Sequence, residues 1–236
     1  MKITLQKFGK YTVNILIFGL ICSLYLFTAH PAVQSSAGQA VFAPVYRGHA
    51  KGKIALQIAV DWDAAALLPI LDTLYSRDLA VTFAVSGVWA EEYPELLQRM
   101  VSDGHEIATM GNQTNSDGSI AWLRDDVKAS LEKINAAGGV TPLLYYPGMR
   151  DTVKSARAAS GLPVTVIACS VDLLSGRGNS IDILNRALEN PFDGSIMLLQ
   201  PTAAAQQALP SILEALKEQG FSVCTVSSVL NNNKTG

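Results

Sequence analysis

Gly104-His105-Glu106-Ile107-Ala108-Thr109-Met110-Gly111-Asn112-Gln113-Thr114 is the stretch on which the reading of the fold turns. Its glycine closes the amphipathic pattern Ala90–Ser102, at the position where glycine relieves a left-handed helix cap. Glu106–Thr109 then reads as a short strand, and polar residues lead into the next helical pattern, Ile120–Ala137. The same unit repeats outward in both directions. Strand candidates are Ile54–Val60, Ala80–Val85, Glu106–Thr109, Leu143–Tyr146, Val164–Cys169, Ser195–Leu199 and Ser222–Val226. Helical patterns lie at Ala64–Arg77, Ala90–Ser102, Ile120–Ala137, Val153–Ala159, Ile181–Glu189 and Ala204–Gln219, with Gly138, Gly161, Gly194 and Gly220 just past helix ends. Strands alternating with helices predict an α/β fold with a parallel sheet and right-handed crossovers. An incomplete barrel and an open doubly wound sheet both satisfy this pattern.

Both architectures put functional groups at the carboxyl ends of strands. That rule selects Asp61-Trp62-Asp63, Ser86–Trp89, Met110–Thr114, Pro147–Arg150, Asp172 and Gln200–Thr202. No glycine-rich phosphate loop and no G-x-S-x-G elbow occurs among them, which argues against nucleotide and serine-hydrolase chemistry. The chain has 236 residues, 49% of them hydrophobic, and a net charge of -2, so it can bury a large core and has no electrostatic footprint for nucleic acid. Its three cysteines give no disulfide framework: Cys22 lies in an apolar segment, and Cys169 and Cys224 lie in strand runs where a free thiol acts as a small hydrophobe.

The N-terminus is organised for a membrane. Residues 1–11 carry Lys2, Lys7 and Lys10, and residues 12–29 are apolar and uncharged. That stretch sits at the lower edge of a spanning helix and exceeds a usual signal core. The lysines predict a cytoplasmic N-terminus and an extracytoplasmic remainder. No small-x-small cleavage site immediately follows, which favours a single-pass anchor in the cell membrane over a cleaved signal peptide and secretion. Residues 30–50 read as a flexible linker, residues 51–230 as the domain, and residues 231–236 as a polar tail.

From about Lys53 to Leu230 the chain resembles the polysaccharide deacetylase family, the NodB-type homology domain among carbohydrate esterases. Ala80–Val85 looks like that family's A-T-F-F-V strand, and Gly104–Thr114 looks like its G-H-E-I-G-N-H-x-x-x-H segment. Ser170-Val171-Asp172 resembles W-S-V-D, Gly194–Thr202 resembles G-S-I-I-L-L-H-P-T, and Val226–Leu230 resembles T-V-S-E-L-L. The resemblance implies a distorted (β/α) barrel of about seven parallel strands, which agrees with the strand count. It also implies a metal-bound water attacking the N-acetyl group of a glycan such as chitin or peptidoglycan, with an aspartate base and a histidine acid.

The residues that carry that chemistry are replaced. The family's T-F-D-D-G-P aligns with Gln57–Trp62, in a register fixed by Ala55-Leu56 and Pro69–Asp72. Ala59 then stands for the base and Val60 for the metal aspartate, while Met110 and Thr114 stand for the metal histidines. The arginine of R-P-P-x-G is Leu144, and the acid histidine is Gln200, whose amide does not shuttle protons near neutral pH. A tryptophan at Trp62 is shared with a sporulation-type branch. No cofactor is expected, since Val60, Met110 and Thr114 are poor metal ligands. His30 and His49 lie in the linker, and His105 starts a strand about 15 Å from its far end, a placement for a structural hydrogen bond.

The remaining candidates are few. Asp61, Asp63 and Asp172 are the carboxylates available to an atypical site, although Asp63 directly precedes Ala64–Ala66 and also reads as a helix cap. Arg150 and Arg177 are candidates to replace the missing arginine partner of Asp172. Trp62, Trp89, Tyr145 and Tyr146 make either a stacking floor for sugar rings or core packing at the barrel mouth, with Gln200 as a hydrogen-bonding contact and Trp122 as core. The reading that emerges is a membrane-anchored glycan-binding or regulatory pseudoenzyme of cell-wall carbohydrate metabolism, with N-acetylated glycan or peptidoglycan as partner. Its alternative is a hydrolase of the carbon–nitrogen amide bonds of such glycans using the three aspartates. A third reading is a purely structural partner of another envelope protein, marked by a large exposed apolar patch.

Overall fold

The computed structural model describes residues 43–60, 65–114 and 117–230. Eight strands alternate with helices. They run β1 (Lys53–Val60), α1 (Leu67–Tyr75), β2 (Thr82–Val85), α2 (Gly87–Glu92), α3 (Pro94–Ser102), β3 (Glu106–Thr109), α4 (Ile120–Gly138), β4 (Leu144–Tyr145), α5 (Thr152–Ala158) and β5 (Thr165–Val166). The chain continues through β6 (Val171–Asp172), α6 (Ser180–Glu189), β7 (Ile196–Leu199), α7 (Ala203–Glu218), β8 (Ser222–Cys224) and α8 (Val226–Leu230). Every strand pairing is parallel, in the order β5-β4-β3-β2-β1-β7-β6, with β8 added to the first half of β1.

The two faces of the sheet decide between the architectures that the sequence left open. Along β1, Ile54, Leu56, Ile58 and Val60 pack outward against α1, α3, α6 and α7. Ala55 and Ala59 alternate with them and pack inward with Ala84, Ala108, Met110, Leu144, Tyr146, Ile167, Ile196 and Leu198. Among the described helices only the short α8, through Val226 and Val229, reaches that inner cluster. The sheet is thus curled around its own side chains, an incomplete (β/α) barrel rather than a doubly wound layer.

Differences from the sequence reading are local. The single helix expected over Ala90–Ser102 is two helices, because Pro94 starts α3 and Tyr93 before it leaves the helical region. β6 is two residues long and was too short to show a period. The end of the segment read as a flexible linker belongs to the domain. Val45 bridges Ile167 beyond β5, Arg47 bridges Ser195 before β7, and Gly48 N–H donates to Gly194 O at 2.7 Å. This strap spans the gap between the two sheet edges, where unpaired backbone groups supply partners that a polar, glycine-containing sequence does not advertise. A Cβ on Gly48 would overlap the Val229 carbonyl, so the close approach requires glycine there.

No helix among the described residues is long and apolar enough to cross a membrane. The stretch 12–29 read as an anchor lies outside the described residues, as do Cys22, His30 and the polar tail.

Candidate functional site

The strand-end loop after β3, Met110–Gln113, is held by the protein on all sides. Met110 N–H donates to Val85 O at 2.8 Å, and Gly111 N–H to Thr109 Oγ1 at 3.0 Å. The first N–H groups of α2 answer two of the loop carbonyls, Gly87 donating to Gly111 O at 3.1 Å and Val88 to Asn112 O at 3.3 Å. Asp126 of α4 accepts from Asn112 N–H at 3.0 Å and from Gln113 N–H at 3.1 Å. Arg150, from the loop after β4, donates to Met110 O at 3.0 Å and also to Gln113 O. Every backbone N–H and C=O from Met110 to Gln113 therefore has a protein partner, from the buried Met110 and Gly111 out to the exposed Gln113.

Asp126 and Arg150 are themselves paired. Arg150 Nη2 lies 3.1 Å from Asp126 Oδ2, and each side chain is 3% exposed. Tyr145 Oη accepts from Arg150 at 3.4 Å, and the half-buried Trp122 ring lies 5.8 Å from the guanidinium carbon. Gly111, at φ 87°, lets the backbone pass between the two charges, and a Cβ there would overlap both Arg150 Nη1 and Asp126 Oδ2. Arg150 is thus committed to Asp126 and is not the partner of Asp172 that the sequence allowed. Sequence reasoning passed over Asp126, although one signal for it exists. It falls on the buried stripe of α4 with Leu123, Val127, Ser130, Leu131 and Ile134, and a carboxylate there demands a partner.

The positions that the family uses for metal do not make a ligand set in this geometry. Val60 faces outward into the helix-packed core, Met110 is packed inside the barrel, and Thr114 is half-buried in the turn beyond the loop. The loop amides and carbonyls that frame these positions are already used. Among the described residues no group of three or more His, Cys, Asp or Glu side chains is arranged to hold a metal ion. The residues present do not fit the metal, and no chemistry is routed through it.

The other predicted site residues are placed as follows. Asp61, Trp62 and Asp63 lie outside the described residues. The cap reading of Asp63 lies outside the described residues with it; α1 starts at Leu67 with Ala66 at its N-cap and no side-chain cap hydrogen bond. Asp172 accepts Leu174 N–H at 2.8 Å, and its carbonyl accepts from Arg186, not Arg177, at 2.8 Å. It lines a surface cleft of about 280 Å³ with Ser170, Arg186, Glu189 and Phe192, on the outer edge of the sheet. Trp89 and Tyr145 are core residues at 2% and 0% exposure, and Tyr146 packs inside the barrel, so these three follow the packing alternative and present no stacking floor. Gln200 is exposed at the end of β7, its N–H donating to Ser175 Oγ at 2.6 Å and its side-chain oxygen resting on Gly176. His105 takes the structural role expected of it: Nδ1 accepts Val81 N–H at 3.2 Å, the ring meets Phe83 edge-on at 4.9 Å, and burial holds its pKa below the usual value, partly opposed by Asp103. Burial likewise raises the Cys169 and Cys224 thiols, both free.

An incomplete parallel barrel with its irregular loops gathered at the strand ends defines the class as a (β/α)-barrel domain. Residues 54–167 match the family described as polysaccharide deacetylase, and this part of the chain is a polysaccharide deacetylase domain. Its relatives include a peptidoglycan-N-acetylglucosamine deacetylase of Bacillus cereus, 28% identical over a match covering 78% of this chain and 70% of that one. The Bacillus subtilis protein YlxY is 23% identical, and the match covers 81% of this chain and 61% of YlxY. Among solved structures, BA3943 of Bacillus anthracis, described as a CE4 family pseudoenzyme, superposes with a TM-score of 0.75 at 26% identity, covering 80% of this chain and 69% of that one. A BA3943 mutant described as having restored enzymatic activity superposes with the same TM-score.

Proposed function

We propose that this domain is an extracytoplasmic glycan-binding or regulatory pseudoenzyme of the cell envelope, tethered by residues 12–29 and without metal-dependent de-N-acetylase activity. One observation carries the reading. The loop that would present metal ligands is organised by the Asp126–Arg150 pair and by α2, with an isopropyl group, a thioether and a hydroxyl at the ligand positions Val60, Met110 and Thr114. Ala59, at the position of the base, offers only a methyl group, and Gln200, at the position of the acid, offers a neutral amide. Each missing acid–base group forfeits about 10²–10⁴-fold in rate, and the activation of water by a metal would be lost in addition. The peptidoglycan-directed names of several relatives support a cell-wall glycan as the ligand class. The pseudoenzyme description of BA3943 supports the loss of catalysis on a retained fold.

The test uses the full chain purified in detergent. Metal content is measured alongside acetate release from N-acetylglucosamine oligomers and from peptidoglycan, and alongside retention on peptidoglycan. The expected result is retention without stoichiometric metal or acetate. Stoichiometric zinc together with acetate release would end the proposal.

A further inference from the structure

The amino-terminal ends of the strands, opposite the Met110–Gln113 loop, carry a cleft that the glycan reading does not use. It opens where α1 leads into β2 and α7 into β8, and its volume is about 440 Å³, within the roughly 300–1,000 Å³ of ordinary small-molecule sites. Leu79, Leu213, Phe221 and Val223 form its floor. Leu213 belongs to the outer core at 5% exposure, and the other three are half-buried side chains packed against that core. The apolar layer between helices and sheet thus comes to the surface here. Backbone bonds hold the walls: Leu79 N–H donates to Leu74 O at 3.1 Å, Phe221 N–H to Leu216 O at 2.9 Å and Ser222 N–H to Gly52 O at 2.8 Å.

Charge sits on the rim of this floor. Arg77 and Lys217 line the cleft, and Glu214 is the one carboxylate that lines it with them. Arg77 Nη2 lies 3.7 Å from Glu214 Oε1, an ion-pair contact longer than a hydrogen bond, with the two side chains 32% and 67% exposed. Lys217 Nζ has no hydrogen bond or ion pair among the described residues. As surface features alone, Arg77 and Glu214 would clip the end of α1 to α7, and Lys217 would complement the α7 dipole. Those roles leave the open floor without a purpose. Nor does the helix end need the ammonium for capping, since Ala215 O, Leu216 O and Lys217 O already accept from Gln219, Phe221 and Gly220 N–H. Two cations over an apolar floor, with one loosely held carboxylate, complement a molecule that is apolar at one end and anionic at the other. A planar carboxylate seated on the guanidinium fork makes a better contact than the long one to Glu214.

We propose that this cleft binds a small amphipathic carboxylate, with the four floor residues under its apolar body, Arg77 and Lys217 on its carboxylate, and Glu214 as the group it displaces. The site stands independently of the glycan reading.

The test is a titration of the full chain with 3-phenylpropionate, following the methyl resonances of Leu79, Leu213 and Val223 by NMR. 3-Phenylpropanamide and 3-phenylpropylamine, which change the head group, and acetate, which lacks the body, are the controls. Saturable shifts with 3-phenylpropionate and not with the controls support the site. The double variant Arg77→Ser/Lys217→Ser is expected to weaken binding about tenfold or more, the loss of charge-assisted hydrogen bonds. Glu214→Gln removes the competing carboxylate and is expected to tighten binding about two- to fivefold, a change that a purely structural clip would not produce. No saturable response, an equal response to any control, or unchanged affinity in either variant overturns the proposal.

Discussion

Replacing Asp126 by alanine is the sharpest perturbation of the loop. The substitution removes the acceptors of Asn112 N–H and Gln113 N–H and leaves the Arg150 guanidinium in a site where its side chain is 3% exposed. Breaking a buried pair from one side costs about 3–5 kcal/mol, because the surviving charge has lost its counter-ion. For a domain of this size each kcal/mol lowers Tm by about 2–4 °C, so the expected drop is about 6–20 °C. The double variant Asp126→Leu/Arg150→Met removes the stranded charge but leaves the backbone groups of Met110, Asn112 and Gln113 without partners. It is expected to recover part of the loss, with a coupling energy of about 1–3 kcal/mol between the two positions. Thermal and denaturant unfolding of the four proteins in the cycle measure this. A single variant within about 2 °C of the parent, or a coupling below about 0.5 kcal/mol, would refute the idea that this pair organises the loop.

The remaining predictions follow from separate contacts. Gly111→Ala combines a positive φ with overlap of both charged groups, and is expected to cost more than the roughly 1 kcal/mol of an ordinary left-handed glycine, measured by denaturant midpoint. Gly48→Ala is expected to release the strap from Gly194 and Val229, read as faster amide exchange at Gly48 and His49 with the sheet core unchanged. His105 has a pKa lowered by burial, so below the usual histidine value of 6.5 the unfolded chain takes up a proton that the folded ring refuses. Stability from this group is complete above that pH and falls as the pH drops from it through the folded value; His105→Asn, which keeps an acceptor without titrating, should flatten that part of the Tm–pH curve. Cys169 and Cys224, with raised thiol pKa values, should label slowly with a thiol reagent in the folded protein and fast in denaturant, in a Cys22→Ser background.

The fold was legible because its signals are short-range. Hydrophobic runs such as Ile54–Val60 and Ser195–Leu199 lie within a residue or two of β1 and β7, and the helical patterns coincide with α1 and with α4 through α7. The choice of barrel over layered sheet was not legible in the periodicity, because it depends on which strand face meets helices; it came from the family resemblance. The site was legible only as a set of losses. Its positive content is the joining of α4 to the β4 loop across 24 residues, and single-sequence periodicity carries no information about such a pair. Asp126 was nonetheless visible as a misfit on an apolar stripe, and Gln57 as a polar residue inside a strand read as buried.

On the pseudoenzyme reading, the two misfits belong to different consequences of one change, and only the first is answered. A metal bound at the strand ends holds the ligand-bearing loop by coordination and fills the barrel mouth with carboxylate and imidazole. Remove the ligands, and the loop needs another source of order while the mouth loses its polar contents. Asp126 and Arg150 answer the first need, since together they bond to backbone at Met110, Asn112 and Gln113. Nothing among the described residues answers the second: Ala59 leaves a methyl group, and the Gln57 amide beneath it stays unmatched. A strand-end loop whose backbone is bonded at every group from Met110 to Gln113 keeps the order of a site, as the glycan-binding proposal requires. Ligand occupancy, rather than turnover, is therefore the quantity to measure first.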